Sequence, residues 1–364
     1  MNDEKTLFEW LWLANAIGDG NKNIRDILSV FGGAHEIYEN RFNIELLAFL
    51  SKRQMEIIQS TEPSQFAPIL TDCKNSGVDI ITIENDEYPS LLRDISSCPP
   101  VLYYKGDATA ANAPLTFAIV GTRRPSAYGM EATQLISKGL AEAGAVLVSG
   151  LATGLDSESH KAAIAAEMPT IACIAFGHDN CYPSANRQLK HIIEVQGLVI
   201  SEYPPKTSPQ KAFFLQRNRL IAGVSRGLCV AEARRASGTM NTVRNALEFG
   251  RDVFAVPGSI FSPLCEGTNA LLCDGAFPAV SANDILRRYG LEKEVKTEKQ
   301  TQKPHIIVSS DAQIVLDVIG CTPTTFDTVC TKTMLPVPKA MAALTELELA
   351  GVISQLAGRQ FVLK

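Results

Sequence analysis

Residues 117–150 read FAIVGTRRPSAYGMEATQLISKGLAEAGAVLVSG. An apolar run, FAIV, stops at Gly121. A polar turn carrying Thr122, Arg123 and Arg124 follows, then a helix-length segment, then a second apolar run that again stops at a glycine. Apolar residues in unbroken sequence, rather than alternating with polar ones, are what a strand buried on both faces of a parallel sheet requires. A helix between two such strands supplies the crossover that keeps them parallel.

Outward from this unit the same rhythm covers residues 76 to 290. DIITI, VLYYKG, TIACIAF, LVISEY, GLCVAEA and DVFAVPG read as strands, and SESHKAAIAAE, ANRQLKHIIEVQG and TMNTVRNALEFG read as helices between them. Strand and helix alternating at this spacing predict an α/β domain with a doubly wound, mostly parallel sheet. Residues 1 to about 75 differ. TLFEWLWLANAI, NIRDILSVFGGAHEIYE, NIELLAFL and RQMEIIQS carry apolar residues three and four apart, the pattern of short amphipathic helices. The glycine pair in FGGAHEIY resembles small sterile-alpha-motif or helix-hairpin-helix bundles, although a plain helical cap fits the same pattern. Residues 291–305, LEKEVKTEKQTQKPH, are charged and lack aromatic groups, as a linker does. Residues 306–364 give three helical segments and a final hairpin turned by Gly358, the order of a winged helix. Such modules bind DNA or dock proteins, and the order alone leaves both open.

A chain of 364 residues with 46% hydrophobic composition can bury a sizeable core in two or three domains. Its net charge of −5 excludes a global polycation, so contact with nucleic acid requires a local basic face. The nine cysteines form no CxxC pair and lie mostly in apolar runs, as Cys173 and Cys229 do. They read as reduced core thiols, with neither disulfides nor a metal site expected. The start, MNDEKTLFEWLWLANAI, is too acidic and interrupted for a signal peptide. No stretch approaches the roughly 20 apolar residues of a membrane span. A soluble cytoplasmic protein is expected, with no cofactor.

Five segments carry groups suited to chemistry. After FAIVG, Gly121 permits close backbone approach, the helix start offers N–H groups, and Arg123 and Arg124 add forked cations that match phosphate oxygens. The spacing is not GxGxxG and no acidic residue ends the next strand, which disfavours a dinucleotide. In VSGLATGLDSESHKAA, His160 could be a base, but no Ser or Cys nucleophile is placed for it and a packing role is preferred. In GHDNCYPSANRQL, Asn186 and Arg187 follow a YP turn and could reach the same rim; His178, Asp179 and Cys181 match no zinc spacing. Between Lys206 and Arg251 lie nine Lys or Arg residues, counting both ends, against Glu232 and Glu248. There KAFFLQRNRLIAG sets Phe213 and Phe214 among Lys211, Arg217 and Arg219. Both rings fit a core, yet a ring beside cations also suits a single strand, where a stacked base is worth roughly 1–3 kcal/mol; Phe214 is the ring assigned to it. Finally, Ser237, Gly238 and Thr239 open a helix after GLCVAEA, either as an anion cradle or as an ordinary cap.

With these segments in order, the chain resembles the bacterial DNA-processing protein A family (DprA, also called Smf). The resemblance rests on VGTRRPSAYG, SGLATGLDSESHKAA, FGHDNCYPSANRQL, VISEYPP, FFLQRNRLIAG, VAEARRASGTMNTVRNALEFGRDVFAVPG and GTNALLCDGA. It implies an extended Rossmann domain that binds single-stranded DNA, acts as a homodimer and loads the recombinase RecA during natural transformation. It places the family's strand-end arginine on Arg123 beside Gly121, its basic and aromatic pair on Lys211 and Phe214, and its RNR positions on Arg217, Asn218 and Arg219. Relatives often have serine at Thr122, which keeps the hydroxyl. They often carry a cation where Ser184 follows the YP turn here, which leaves Arg187 as a partial replacement for that phosphate contact.

Two rival functions remain. The Rossmann core is similar to that of cytokinin-activating phosphoribohydrolases, but their PGGxGTxxE glutamate falls on ASGTMNT, where Asn241 and Thr242 offer no acid or base for glycosidic cleavage. The other is a docking scaffold whose winged helix recruits a partner.

Overall fold

A computed structural model describes residues 4–291, 308–320, 323–356 and 358–363. Residues 292–305 of the expected linker lie outside the described residues. The chain divides into two units, one up to residue 293 and one from residue 294.

The first unit contains nine strands among the described residues: β1 (Asp79–Thr82), β2 (Val101–Gly106), β3 (Thr116–Val120), β4 (Val146–Ser149), β5 (Thr170–Cys173), β6 (Leu198–Ser201), β7 (Gly227–Val230), β8 (Asp252–Ala255) and the two-residue β9 (Phe277–Pro278). Their spatial order is β1-β2-β6-β5-β4-β3-β7-β8-β9. From β6 through β9 every neighbouring pair is parallel, whereas β1–β2 and β2–β6 are antiparallel. The sheet is therefore mostly parallel and doubly wound.

The lack of alternation in FAIV has a direct cause. Every residue of β3 is buried. Phe117 and Ile119 join one core with Ile136, Leu140 and Leu155 from the covering helices. Ala118 and Val120, pointing to the other face, join a second core. That second core is continuous with Trp10, Trp12, Ile27 and Ile58, so the N-terminal helices and the sheet share one hydrophobic interior. Trp12 also donates from Nε1 to Thr61 O at 3.1 Å, which satisfies the one polar group its ring buries.

Strand order sets where a ligand can sit. From β3 the chain runs out through β4, β5 and β6 on one side, then returns to place β7 and β8 on the other. Beyond the carboxyl ends of β3 and β7, connections diverge to opposite faces and leave a crevice.

The second unit has helices Ser310–Leu316, Phe326–Thr333 and Val337–Leu349. A small antiparallel sheet joins Ile353–Leu356 and Gln360–Leu363, with Thr324–Thr325 at its edge. Gly358 sits at φ +80° in the connecting turn, a backbone state glycine adopts without a steric penalty. This is a winged helix. Among the described residues no helix is long and apolar enough to cross a membrane.

Candidate nucleic-acid interface

A cleft of about 770 Å³ opens at the crevice between the ends of β3 and β7. Gly121, Thr122 and Arg123 come from the turn after β3. Lys211, Phe214, Arg217 and Asn218 come from the Lys211–Gly223 helix, and Ser237, Gly238 and Thr239 from the turn after β7. Ten of the residues singled out in the sequence thus line one cavity, although their segments lie up to 118 positions apart.

The helix explains how KAFFLQRNRLIAG is used. At 3.6 residues per turn, Lys211, Phe214, Asn218 and Ile221 fall on one face, and all four line the cleft. Phe213 turns away and stacks on Tyr203 at 4.2 Å between ring centroids. Phe214 is half-buried; Tyr182 meets its ring edge-on at 5.5 Å, and the Arg123 guanidinium carbon lies 5.6 Å from its centroid. Arg123 and Lys211 are exposed and form no salt bridge among the described residues, while the Arg123 charge acts on the Asp156 carboxyl that lines the same cleft.

The two arginines of RNR have separate roles. Arg217 is only 3% exposed, and its Nη1 donates to Gly150 O at 2.5 Å and also to Cys173 O. It forms the cleft floor and locks the ends of β4 and β5. A Cβ on Gly150 would lie 2.6 Å from that nitrogen, so glycine is needed for the guanidinium to fit. Arg219 points out of the cleft. Its Nη1 donates to Ser97 O at 2.5 Å and its Nη2 pairs with Glu202. Asn218 stays at the cleft, its Nδ2 donating to Asn241 Oδ1 at 3.3 Å.

Three other positions named above do not line the cavity. Asn186 donates from Nδ2 to Leu151 O at 2.8 Å and to Ser157 Oγ at 2.9 Å, holding the loop after β4. Arg124 and Arg187 are exposed outside the cleft lining.

One expectation is corrected. The helix start after GTRRPS is already capped from within, at Ser126 N and Gly129 N. Glu232, fully buried, accepts from Ser126 N at 2.9 Å and from Ser126 Oγ at 2.6 Å, while Ser126 Oγ accepts from Gly129 N at 3.1 Å. An internal carboxylate fills the place an anion would take. At the start of the Thr239–Glu248 helix, Met240 N and Asn241 N donate to Ser237 O and Gly238 O at 3.1 Å. Gly238 caps the helix without a side chain, and Ser237 Oγ in the cleft wall has no hydrogen-bond partner among the described residues. Thr239 Oγ1 donates to Gly121 O at 3.1 Å, tying the two turns together.

Tyr182, Leu215 and Asp156 also line the cleft and were not assigned to it from sequence. Burial raises the Asp156 carboxyl above its usual range, opposed by Arg217 and by the backbone N–H groups of Ala152 and Gly150. His160 is fully buried and its Nδ1 lies 2.8 Å from Thr170 Oγ1. Burial, with Arg217 adding to it, lowers its pKa to about 3, so the ring is neutral near pH 7. Its resonances are expected to stay constant from pH 5 to pH 8 by NMR; a titration in that range would restore it as a candidate base. His178 is buried as well, with Nε2 3.0 Å from Tyr103 O.

Comparison with known proteins fits this architecture. Residues 79–290 match the family described as DNA recombination-mediator protein A, and residues 298–359 match the DprA winged helix domain. The chain is 42% identical to DNA processing protein DprA of Bacillus subtilis over 228 residues, 62% of this chain and 77% of that one. It is 32% identical to protein Smf of Synechocystis over 332 residues, 82% and 83% of the two chains. The X-ray structure of DNA processing protein A from Streptococcus pneumoniae aligns with a TM-score of 0.67 at 32% identity, covering 77% of this chain and 97% of that one. DNA processing protein A from Helicobacter pylori, whose structure was described for its single-stranded DNA binding mode, aligns at 0.53 and 32%, covering 59% and 97%. A match across the whole sheet domain, joined to one across the winged helix, means that the chain belongs to the DNA recombination-mediator protein A family.

Proposed function

We propose that the protein binds single-stranded DNA in the cleft between the ends of β3 and β7, as a recombination mediator rather than an enzyme. The observation that carries this reading is the convergence of Arg123, Lys211 and a half-buried Phe214 on one cleft, with neither cation in a salt bridge among the described residues. Phosphates follow the cations and the unpartnered Ser237 hydroxyl in the cleft wall, while a base stacks at Phe214. In its fuller form the reading has two copies of the chain passing a protected strand to a RecA-type recombinase during DNA uptake, in the cytoplasm. Membership of the family and the single-stranded DNA mode described for the Helicobacter relative support it. Against a phosphoribohydrolase, Asn241 and Thr242 stand where a carboxylate would be needed, and Asn241 Oδ1 accepts from Asn218.

A labelled oligothymidine titrated at several salt concentrations tests the reading. Affinity is expected to fall steeply with salt through counterion release. Salt-independent binding, or release of base from nucleoside monophosphates, would overturn it. Phe214→Ala removes the stacking surface and is expected to cost roughly 1–3 kcal/mol in binding. Because that term is not ionic, the salt slope should stay the same; a lowered slope would show that Phe214 acts only by placing Arg123.

A further inference from the structure

The Val337–Leu349 helix occupies the place of a recognition helix in the winged-helix unit. It buries Ala340, Ala343, Leu344 and Leu347. Its exposed face carries Val337, Met341, Thr345 and Glu348, and Met334 stands just before it. Met334 is 86% exposed, Val337 58% and Met341 49%. No cation lies on that face. Lys339, on the adjoining face, is held 3.6 Å from Asp311. Across the described residues from 308 to 363 the acids Asp311, Asp317, Asp327, Glu346 and Glu348 outnumber Lys332, Lys339 and Arg359.

Duplex DNA presents one negative charge about every 1.7 Å, and proteins bind it by releasing its counterions with Lys and Arg. A helix face made of two apolar side chains, a threonine and a carboxylate cannot do that. It would meet the phosphates with a like charge and strip water from its apolar groups without return. Exposed methionines suit a different occupant, because their unbranched side chains adapt to an apolar partner surface. A second copy brings the same excess of acids among these residues, so two such units carry like charge.

We propose that this helix face docks a protein segment: an amphipathic helix whose apolar side is flanked by Lys or Arg. Met334, Val337 and Met341 take the apolar side chains, and Glu348 pairs with a flanking cation. The proposal concerns the winged helix alone and does not depend on strand binding in the other unit.

The test uses the full chain. An 18-residue helical peptide of leucine and lysine, labelled with fluorescein, is titrated beside the same peptide with glutamate for lysine and beside a labelled 30-base-pair duplex. The lysine peptide is expected to bind at least tenfold more tightly than the glutamate peptide. The double substitution Val337→Ser, Met341→Ser should weaken it at least tenfold without changing duplex affinity, and Glu348→Lys should narrow the preference between the peptides. Equal lysine-peptide binding by wild type and double variant would overturn the proposal. So would loss of duplex binding in the double variant, which would make the face a DNA reader. Loss of self-association in sedimentation would do the same by making a second copy the occupant. Both substituted side chains are exposed, and Glu348→Lys gives a charge readout independent of the apolar pair.

Discussion

Replacing Arg123 and Lys211 together by glutamate is expected to lower affinity for a single-stranded oligonucleotide at least about 100-fold near 0.1 M salt. The fold should survive. Arg123 is exposed, and its described contact is with the Phe214 ring. Lys211 is exposed at the first position of its helix, where a carboxylate interacts favourably with the helix dipole. Each cation removed withdraws one phosphate contact, and each acid introduced repels the backbone at the same place. Two lost contacts should lower the slope of log affinity against log salt by about 1.4, taking about 0.7 per phosphate on a single strand. Fluorescence anisotropy with labelled oligothymidine measures both quantities. Arg226→Glu is the control, because Arg226 is exposed just before β7, at the amino end of the strand and away from the cleft. An equal loss from Arg226→Glu would mean that diffuse charge binds the strand; unchanged affinity in the double variant would remove the cleft from consideration.

The sheet was legible because its physical signature is local. β3 through β7 are buried on both faces, which forces unbroken apolar runs, and the turns that end β3 and β4 begin with Gly121 and Gly150. The antiparallel direction of β1 and β2 was not legible, since DIIT and VLYYKG would look the same in either orientation. Amphipathic spacing in the N-terminal helices announces that one face is buried but not against what; here the covering surface is the sheet's own core. The site was partly legible for a related reason. Arginines and a phenylalanine in one segment mark a basic surface, but only helical geometry tells that Asn218 faces the cleft while Arg219, one residue on, points to Ser97 and Glu202. Glu232, which plugs the helix start after β3, lies 106 positions from its partner Ser126, and nothing in either neighbourhood signals the pair.

Arg219→Ala should therefore behave unlike Arg123→Glu: it should unfold the protein more easily and leave the strand affinity of the folded fraction nearly unchanged. Arg219 and Glu202 are each 5% exposed in their side chains, and removing one partner of a buried ion pair typically costs about 3–5 kcal/mol. The cost should depend on pH. Burial raises the Glu202 carboxyl to about 7, with Arg219 holding it below the level burial alone would set and the Asp19 carboxylate adding to the rise. A carboxyl whose folded pKa lies above its unfolded value stabilises the fold fully below the unfolded pKa, about 4.3, and loses that contribution as pH rises through the folded pKa. Without Arg219 the folded value rises further, so more of the destabilisation falls above pH 7. Urea unfolding at pH 5.5 and pH 8 should then show a clearly smaller loss at pH 5.5, where the orphaned carboxyl keeps its proton and no bare charge is buried. Equal losses at both pH values would mean that the guanidinium contributes through its hydrogen bond to Ser97 rather than through Glu202.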